Sequence, residues 1–196
     1  MRTDIIEFLE TEIFKRCQSE NNVFGFDIYY HIRAVVENAS QMSEIYGADV
    51  EIVMISAWLH DIASITKSSL YEEHHIHGQY IAEEILQKQF YDKEKIECVK
   101  RCIYHHRGSR SLEKEFPEEK CLADADAISH FDSFPSLLYM AYVTKKMEVL
   151  EGMDFVQHKL ERSWNKLSEV GKVFSMKKYK ETMNVIERYR LITESK

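Results

Sequence analysis

A chain that folds as antiparallel strands must reverse direction every ~8–12 residues, and each reversal draws on turn-forming residues. Six glycines and two prolines in 196 residues are too few to supply them. The chain is therefore expected to be all-α, and its apolar spacing agrees. Ile5, Ile6, Leu9, Ile13 and Phe14 follow a helical period over residues 3–18. A second helix over 28–46 carries Ile28, Ile32, Val35, Ala39, Met42 and Tyr46 on one stripe and closes at Gly47. Asp49 can cap a third, VEIVMISAWLHDIA, apolar nearly all round and so the expected central buried helix. Further helices are expected over 72–89, 93–106 and 118–130, with Pro117 in the first turn of the last and Pro135 opening the next. The final 60 or so residues read as two or three amphipathic helices with Gly152 and Gly171 as breaks, and carry no recognisable motif. No repeat or Pro/Ser-rich linker divides the chain. A single domain over 1–196 is expected, its motif-bearing core at about 26–130 and the helices of about 136–194 packed on it.

Charge narrows the function. With 26 basic and 33 acidic residues the net charge is −7, which disfavours a stable nucleic-acid complex. No apolar run approaches the ~18 residues of a membrane span, so no membrane partner is expected. The N-terminal segment, interrupted by acids, does not read as a secretory signal. Cys17, Cys98, Cys102 and Cys121 form no CxxC pair and read as reduced, mostly buried thiols, so a cytoplasmic location is expected.

Nine histidines are the compositional oddity. His60-Asp61 ends the apolar run ISAWL, which drives an imidazole and a carboxylate into an apolar interior. Burying a carboxylate costs several kcal/mol unless it is paired or binds a metal. His31 lies on the inward side of the second helix. Asp124 and Asp126 sit in CLADADAI, where Leu122, Ala125 and Ile128 face inward. His105 and His106 end the stripe of Ile96, Val99 and Ile103, and His74, His75 and His77 crowd the start of the fourth helix. Each alone suits a core or surface histidine. Together they offer nitrogen and oxygen donors without thiolate, a set suited to Fe, Mn, Co, Ni or Zn in an open site between helices.

The order His31, His60-Asp61, Asp126 resembles the H…HD…D pattern of the HD superfamily of metal-dependent phosphohydrolases. YYHIRAVVENA, GADVEIVMISAWLHDIASITK and CLADADAI resemble its small, stand-alone bacterial members. The resemblance implies an HD-type bundle with the metal site between central helices, and His31, His60, Asp61 and Asp126 as ligands, Asp124 acting through them. Dinuclear members carry two more histidines, which the resemblance places at His74 and His105, giving H-x28-H-D-x12-H-x30-H-x20-D. His77 and His106 remain open as replacements or orienting groups. Two divalent ions are expected, Fe or Mn in preference to Ni, Co, Zn or Mg. The resemblance implies that Asp61 bridges them and that they activate a water for attack on phosphorus.

The implied activity is phosphomonoester or phosphodiester hydrolysis of a small phosphorylated or nucleotide-like substrate. Lys67, a catalytic candidate, and Arg33 and Arg107, substrate-binding candidates, are the nearest basic residues in sequence. The polar segment RGSRSLEKEFPEE is a candidate site rim. A mixed-valent di-iron oxygenase and a non-catalytic metal-bound sensing domain are the alternatives, and a homodimer is compatible with all three.

Overall fold

The computed structural model describes residues 1–22, 24–107 and 113–194, and among them no strand is present. Residues 108–112 of the expected site rim lie outside this set.

Helix α1 (Thr3–Cys17) buries Ile5, Leu9, Ile13 and Cys17, one face at four-residue spacing. Helix α2 (Ile28–Tyr46) buries Ile32, Val35, Ala39 and Met42 and ends at Gly47, whose φ of +64° is a conformation a side chain disfavours. Helix α3 (Val50–Leu59) starts where the Asp49 carboxylate accepts the Glu51 and Ile52 amides, at 2.9 and 3.3 Å. It is buried nearly all round, as its sequence predicts, and packs against α1, α2, the later α6 (Lys93–His105) and α7 (Pro117–Asp132).

The sequence predicts one helix over 50–63, but the structure breaks it. Helix α3 stops at Leu59 and α4 (Ile62–Thr66) begins three residues later, with Asp61 at φ −105°, ψ 16°. Adjacent residues of an unbroken helix point about 100° apart. The turn frees His60 and Asp61 from that constraint, and both line one cavity.

A 3₁₀ turn at Ser68–Leu70 leads to α5 (His74–Lys88), which forms a hairpin with α6. The Asp92 carboxylate caps α6 by accepting the Lys95 amide at 3.0 Å. Pro117 opens α7. Helix α8 (Phe134–Tyr139) runs into a π-helical turn (Met140–Thr144), and α9 (Val149–Lys166) and α10 (Glu169–Glu194) follow, both packed on α7.

Gly152 and Gly171 break neither of these helices. A Cβ on Gly152 would come within 2.3 Å of the Tyr142 ring, and one on Gly171 within 2.2 Å of the Asp124 carboxylate. Both glycines are there for close approach. No described helix is long and apolar enough to cross a membrane.

Candidate metal centre

Three of the helix junctions converge on one cavity of about 590 Å³. His31 enters it from α2, His60 and Asp61 from the α3–α4 turn, His74 from the start of α5, His106 from the end of α6, and Asp126 and His130 from α7. Their donor atoms form two groups. His31, His60 and Asp126 make one, and Asp61, His74 and His106 the other, the atoms of each lying within 4.8 Å of one another. Asp61 faces both: its Oδ2 lies 3.5 Å from His60 Nε2 and its Oδ1 3.6 Å from His74 Nε2.

The tautomers of these rings follow from their outer partners. His60 Nδ1 donates to the Ala57 carbonyl at 2.7 Å, His74 Nδ1 to the Tyr71 carbonyl at 2.8 Å, and His106 Nδ1 to the Ile103 carbonyl at 2.5 Å. A carbonyl only accepts, so in each ring the proton sits on Nδ1. Ser129 Oγ donates to the Asp126 carbonyl at 2.6 Å, which leaves it to accept from His31 Nδ1 at 2.9 Å. Every neutral ring therefore turns an unprotonated Nε2 toward the cavity, the arrangement of metal-binding imidazoles.

That arrangement leaves lone pairs without donors. His74 Nε2 and His106 Nε2 lie 3.2 Å apart, acceptor facing acceptor. His60 Nε2 is buried with no hydrogen-bond partner. Such contacts are costly unless a cation or a proton lies between the atoms. The donor set of imidazole nitrogens and carboxylate oxygens suits a divalent cation of the borderline class.

Protons take part of that role when no ion is bound. Burial works against a charge on His60, but Asp61 and Asp126 outweigh it and push the imidazole up to about 9. Burial and the neighbouring His60 push His106 down to about 3. At Asp61 and Asp126 burial opposes ionisation too. The neighbouring His60 at Asp61, and His31 beside Asp126, nevertheless hold both carboxyls well below the usual carboxylate range.

Two expectations for individual ligands change. His105 is not in the cavity: its Nδ1 donates to the Arg101 carbonyl at 3.0 Å and lies 3.4 Å from Glu119. His106 takes its place, because 96, 99, 103 and 106 continue one buried face of α6, whereas 105 is turned about 100° away. Asp124 also faces elsewhere. Its carboxylate accepts Tyr46 Oη and Ser168 Oγ, each at 2.5 Å, and the Ser168 amide at 3.1 Å, so it anchors the α9–α10 junction to α2.

Among the expected basic residues only Arg107 lines the cavity, and it donates to the Glu72 carbonyl. Lys67 follows α4 on the surface and Arg33 points to solvent from α2, two residues past His31 and so away from it. His77, half-buried on α5, is not a lining residue either.

The other cations that line the cavity are Lys145, Lys159, Arg162 and Lys166, from segments in which the sequence shows no motif. The signal was nevertheless present: Lys159, Arg162 and Lys166 follow i, i+3, i+7 spacing, one face of a helix. His130, which no sequence motif marks, lines the cavity as well. It lies one turn after Asp126, its ring 5.0 Å from that of His31.

The family profile described as HD domain matches residues 28–130, more than half of the chain. None of the curated protein sequences matches it. Several solved structures share the fold. An HD-superfamily hydrolase from Bacillus thuringiensis superposes with a TM-score of 0.72 at 17% identity, over 100% of both chains. A predicted HD superfamily hydrolase from an uncultured Thermotogales bacterium gives 0.62 at 19% identity, over 96% of this chain and 91% of that one. Bacillus subtilis YpgQ, solved in complex with ADP, gives 0.60 at 18%, over 92% and 95%.

Proposed function

The chain belongs to the HD domain family, and from that premise we propose that it is a metal-dependent phosphohydrolase acting on a small phosphorylated or nucleotide-like substrate in the cytoplasm. The observation that carries the reading is the pair of facing acceptors, His74 Nε2 and His106 Nε2 at 3.2 Å, beside the unpartnered His60 Nε2. His31, His60 and Asp126 would hold one divalent ion and His74 and His106 a second, with Asp61 between them; Fe or Mn suits these donors. Bound there, such ions would supply Lewis-acid charge and a nucleophilic water at neutral pH.

The chain's own residues prepare the rest. The Ala57, Tyr71 and Ile103 carbonyls and Ser129 Oγ fix the rings, so no reorientation is needed as the substrate reacts. Lys145, Lys159, Arg162 and Lys166 give the cavity a positive wall that draws in a phosphate. Phe24, Tyr71 and Phe155 provide an apolar surface for the organic part of the substrate. The cationic wall favours an anionic substrate over the oxygenase alternative. The ADP bound to the Bacillus subtilis neighbour supports a nucleotide-like one.

The test is metal analysis of protein purified without chelator, followed by a phosphomonoester and phosphodiester panel with added Mn²⁺, Fe²⁺ or Ni²⁺. The reading expects metal-dependent release of phosphate that chelator abolishes. A metal-replete protein that hydrolyses no member of the panel would contradict it.

A further inference from the structure

We infer that α9 forms a second anion subsite, and that the substrate is an organic di- or triphosphate of the nucleoside diphosphate class, not a monophosphate. This rests on the reading that phosphorus chemistry occurs among His31, His60, Asp61, His74, His106 and Asp126.

The stripe Lys159, Arg162, Lys166 lies beyond residues 28–130, the segment matching the family profile, so it belongs to this chain's own C-terminal helices. Its three residues face one cavity wall together. Like charges at i, i+3 and i, i+4 repel, and several lysines elsewhere in the protein are paired with carboxylates. Lys95 pairs with Glu51 at 2.8 Å, Lys100 with Glu83 at 2.9 Å and Lys178 with Asp132 at 2.8 Å. Among the described residues no carboxylate lies within 4 Å of the basic nitrogens of Lys159, Arg162 or Lys166. In a chain of net charge −7, three cations without an ion pair thus share one wall of the cavity.

The stripe has an inner and an outer end. Lys159 is half-buried, and burial lowers its affinity for a proton, while Asp126 and Asp61 are close enough to raise it. Arg162 and Lys166 are exposed toward the mouth. Seven residues of α-helix span about 10 Å. A phosphoryl group held at the imidazoles can meet Lys159, but the outer two cations require a further anion on the same molecule. Arg supplies a planar fork and Lys a point charge, both matched to phosphoryl oxygens. Phe24 and Tyr71, in edge contact at 5.3 Å, border the cavity and offer an aromatic face for a base.

The test is titration calorimetry with AMP, ADP, inorganic pyrophosphate and sulfate. Each is run on metal-loaded and on chelator-treated protein, for the wild type and for R162A/K166A. Because both side chains are exposed, the double variant is expected to keep its melting temperature. The wild type is expected to bind ADP at least about tenfold more tightly than AMP, with or without metal, and R162A/K166A to lose that advantage, its two affinities falling within about twofold of each other. Pyrophosphate binding as tight as ADP with no contribution from the nucleoside would overturn the nucleoside class. Equal affinity for AMP and ADP in the wild type, or an ADP advantage that survives in R162A/K166A, would overturn the subsite. So would sulfate competing as well as pyrophosphate. Turnover is scored separately. An ADP preference that depends on Arg162 and Lys166, in a protein that hydrolyses no phosphate ester, would support the subsite while removing the hydrolytic reading.

Discussion

The two ends of α3 bury acid in opposite ways. At its start Glu51 is 6% exposed and fully served: its oxygens accept the Arg2 amide at 2.6 Å, Tyr91 Oη at 2.8 Å and Lys95 Nζ at 2.8 Å. At its far end Asp61 accepts Ser64 Oγ at 3.2 Å, and otherwise meets His60 and His74 nitrogens at 3.5 and 3.6 Å, too far for good hydrogen bonds. Glu51 draws donors from the N-terminus and from α6, and so ties three segments together. Asp61 is surrounded by rings whose Nδ1 protons are committed to backbone carbonyls. The difference separates a carboxylate that stabilises a fold from one arranged to receive a cation.

Replacing Asp61 should give the largest effect. Asp61→Asn preserves shape but removes the charge shared by both donor groups. Disturbing a group outside the ligand shell costs about 10–100-fold in metal affinity or activity, so loss of Asp61 should exceed about 100-fold in kcat/KM, while the chelated protein still melts as a folded chain. Steady-state kinetics and calorimetry on one preparation check both. An active D61N protein would erase the distinction between the two ends.

His105 and His106 sharpen the comparison on α6. His106→Ala should lower metal affinity by about tenfold or more, whereas His105→Ala should leave metal content intact, since His105 faces Glu119. Inductively coupled plasma analysis of the two variants distinguishes them, and the reverse result would restore His105 as the ligand.

Glu51→Ala should cost about 2–3 kcal/mol, from lost charge-assisted hydrogen bonds and a stranded Tyr91 hydroxyl, with activity per folded molecule unchanged. Urea unfolding measures it.

The smallest effects are the two pH limbs, which should run in opposite directions. Burial opposes the charge on Glu51, but Lys95, Tyr91 and the Arg2 amide outweigh it and hold the carboxyl at about 2, below its ordinary 4.5. Its stabilisation is present above about pH 4.5 and lost as pH falls toward 2. His60 is raised to about 9 from its ordinary 6.5, so in chelated protein its contribution is present below about pH 6.5 and lost as pH rises through 9. Metal binding should release that proton, and metal affinity should still be rising at pH 8. Melting curves with and without chelator test this: Glu51→Gln should flatten the acid limb alone, and saturating metal the alkaline one alone.

Much of this was legible in the sequence because local rules govern it. Glycine and proline scarcity, the stripes of α1 and α2, the cap at Asp49, and the closing Gly47 all act within a few residues. What escaped depends on packing between distant segments. The α3–α4 break falls inside an apolar run that periodicity cannot divide. Gly152 and Gly171 answer to Tyr142 and Asp124, which lie elsewhere in the chain. The choice of His106 over His105 was within reach, since the spacing 96, 99, 103, 106 was visible. The resemblance drew the histidine at 105 instead. The cationic stripe of α9 was also periodic, but only its position against the imidazole cavity separates it from a solvated face.

Anomalous diffraction from crystals grown with Mn²⁺, recorded at the manganese edge, tests the metal centre most directly. The account predicts two peaks, one bounded by His31, His60 and Asp126 and the other by His74 and His106, with Asp61 reaching both. An anomalous map with no peak in this cavity, the His74 and His106 rings still facing one another at 3.2 Å, would contradict it.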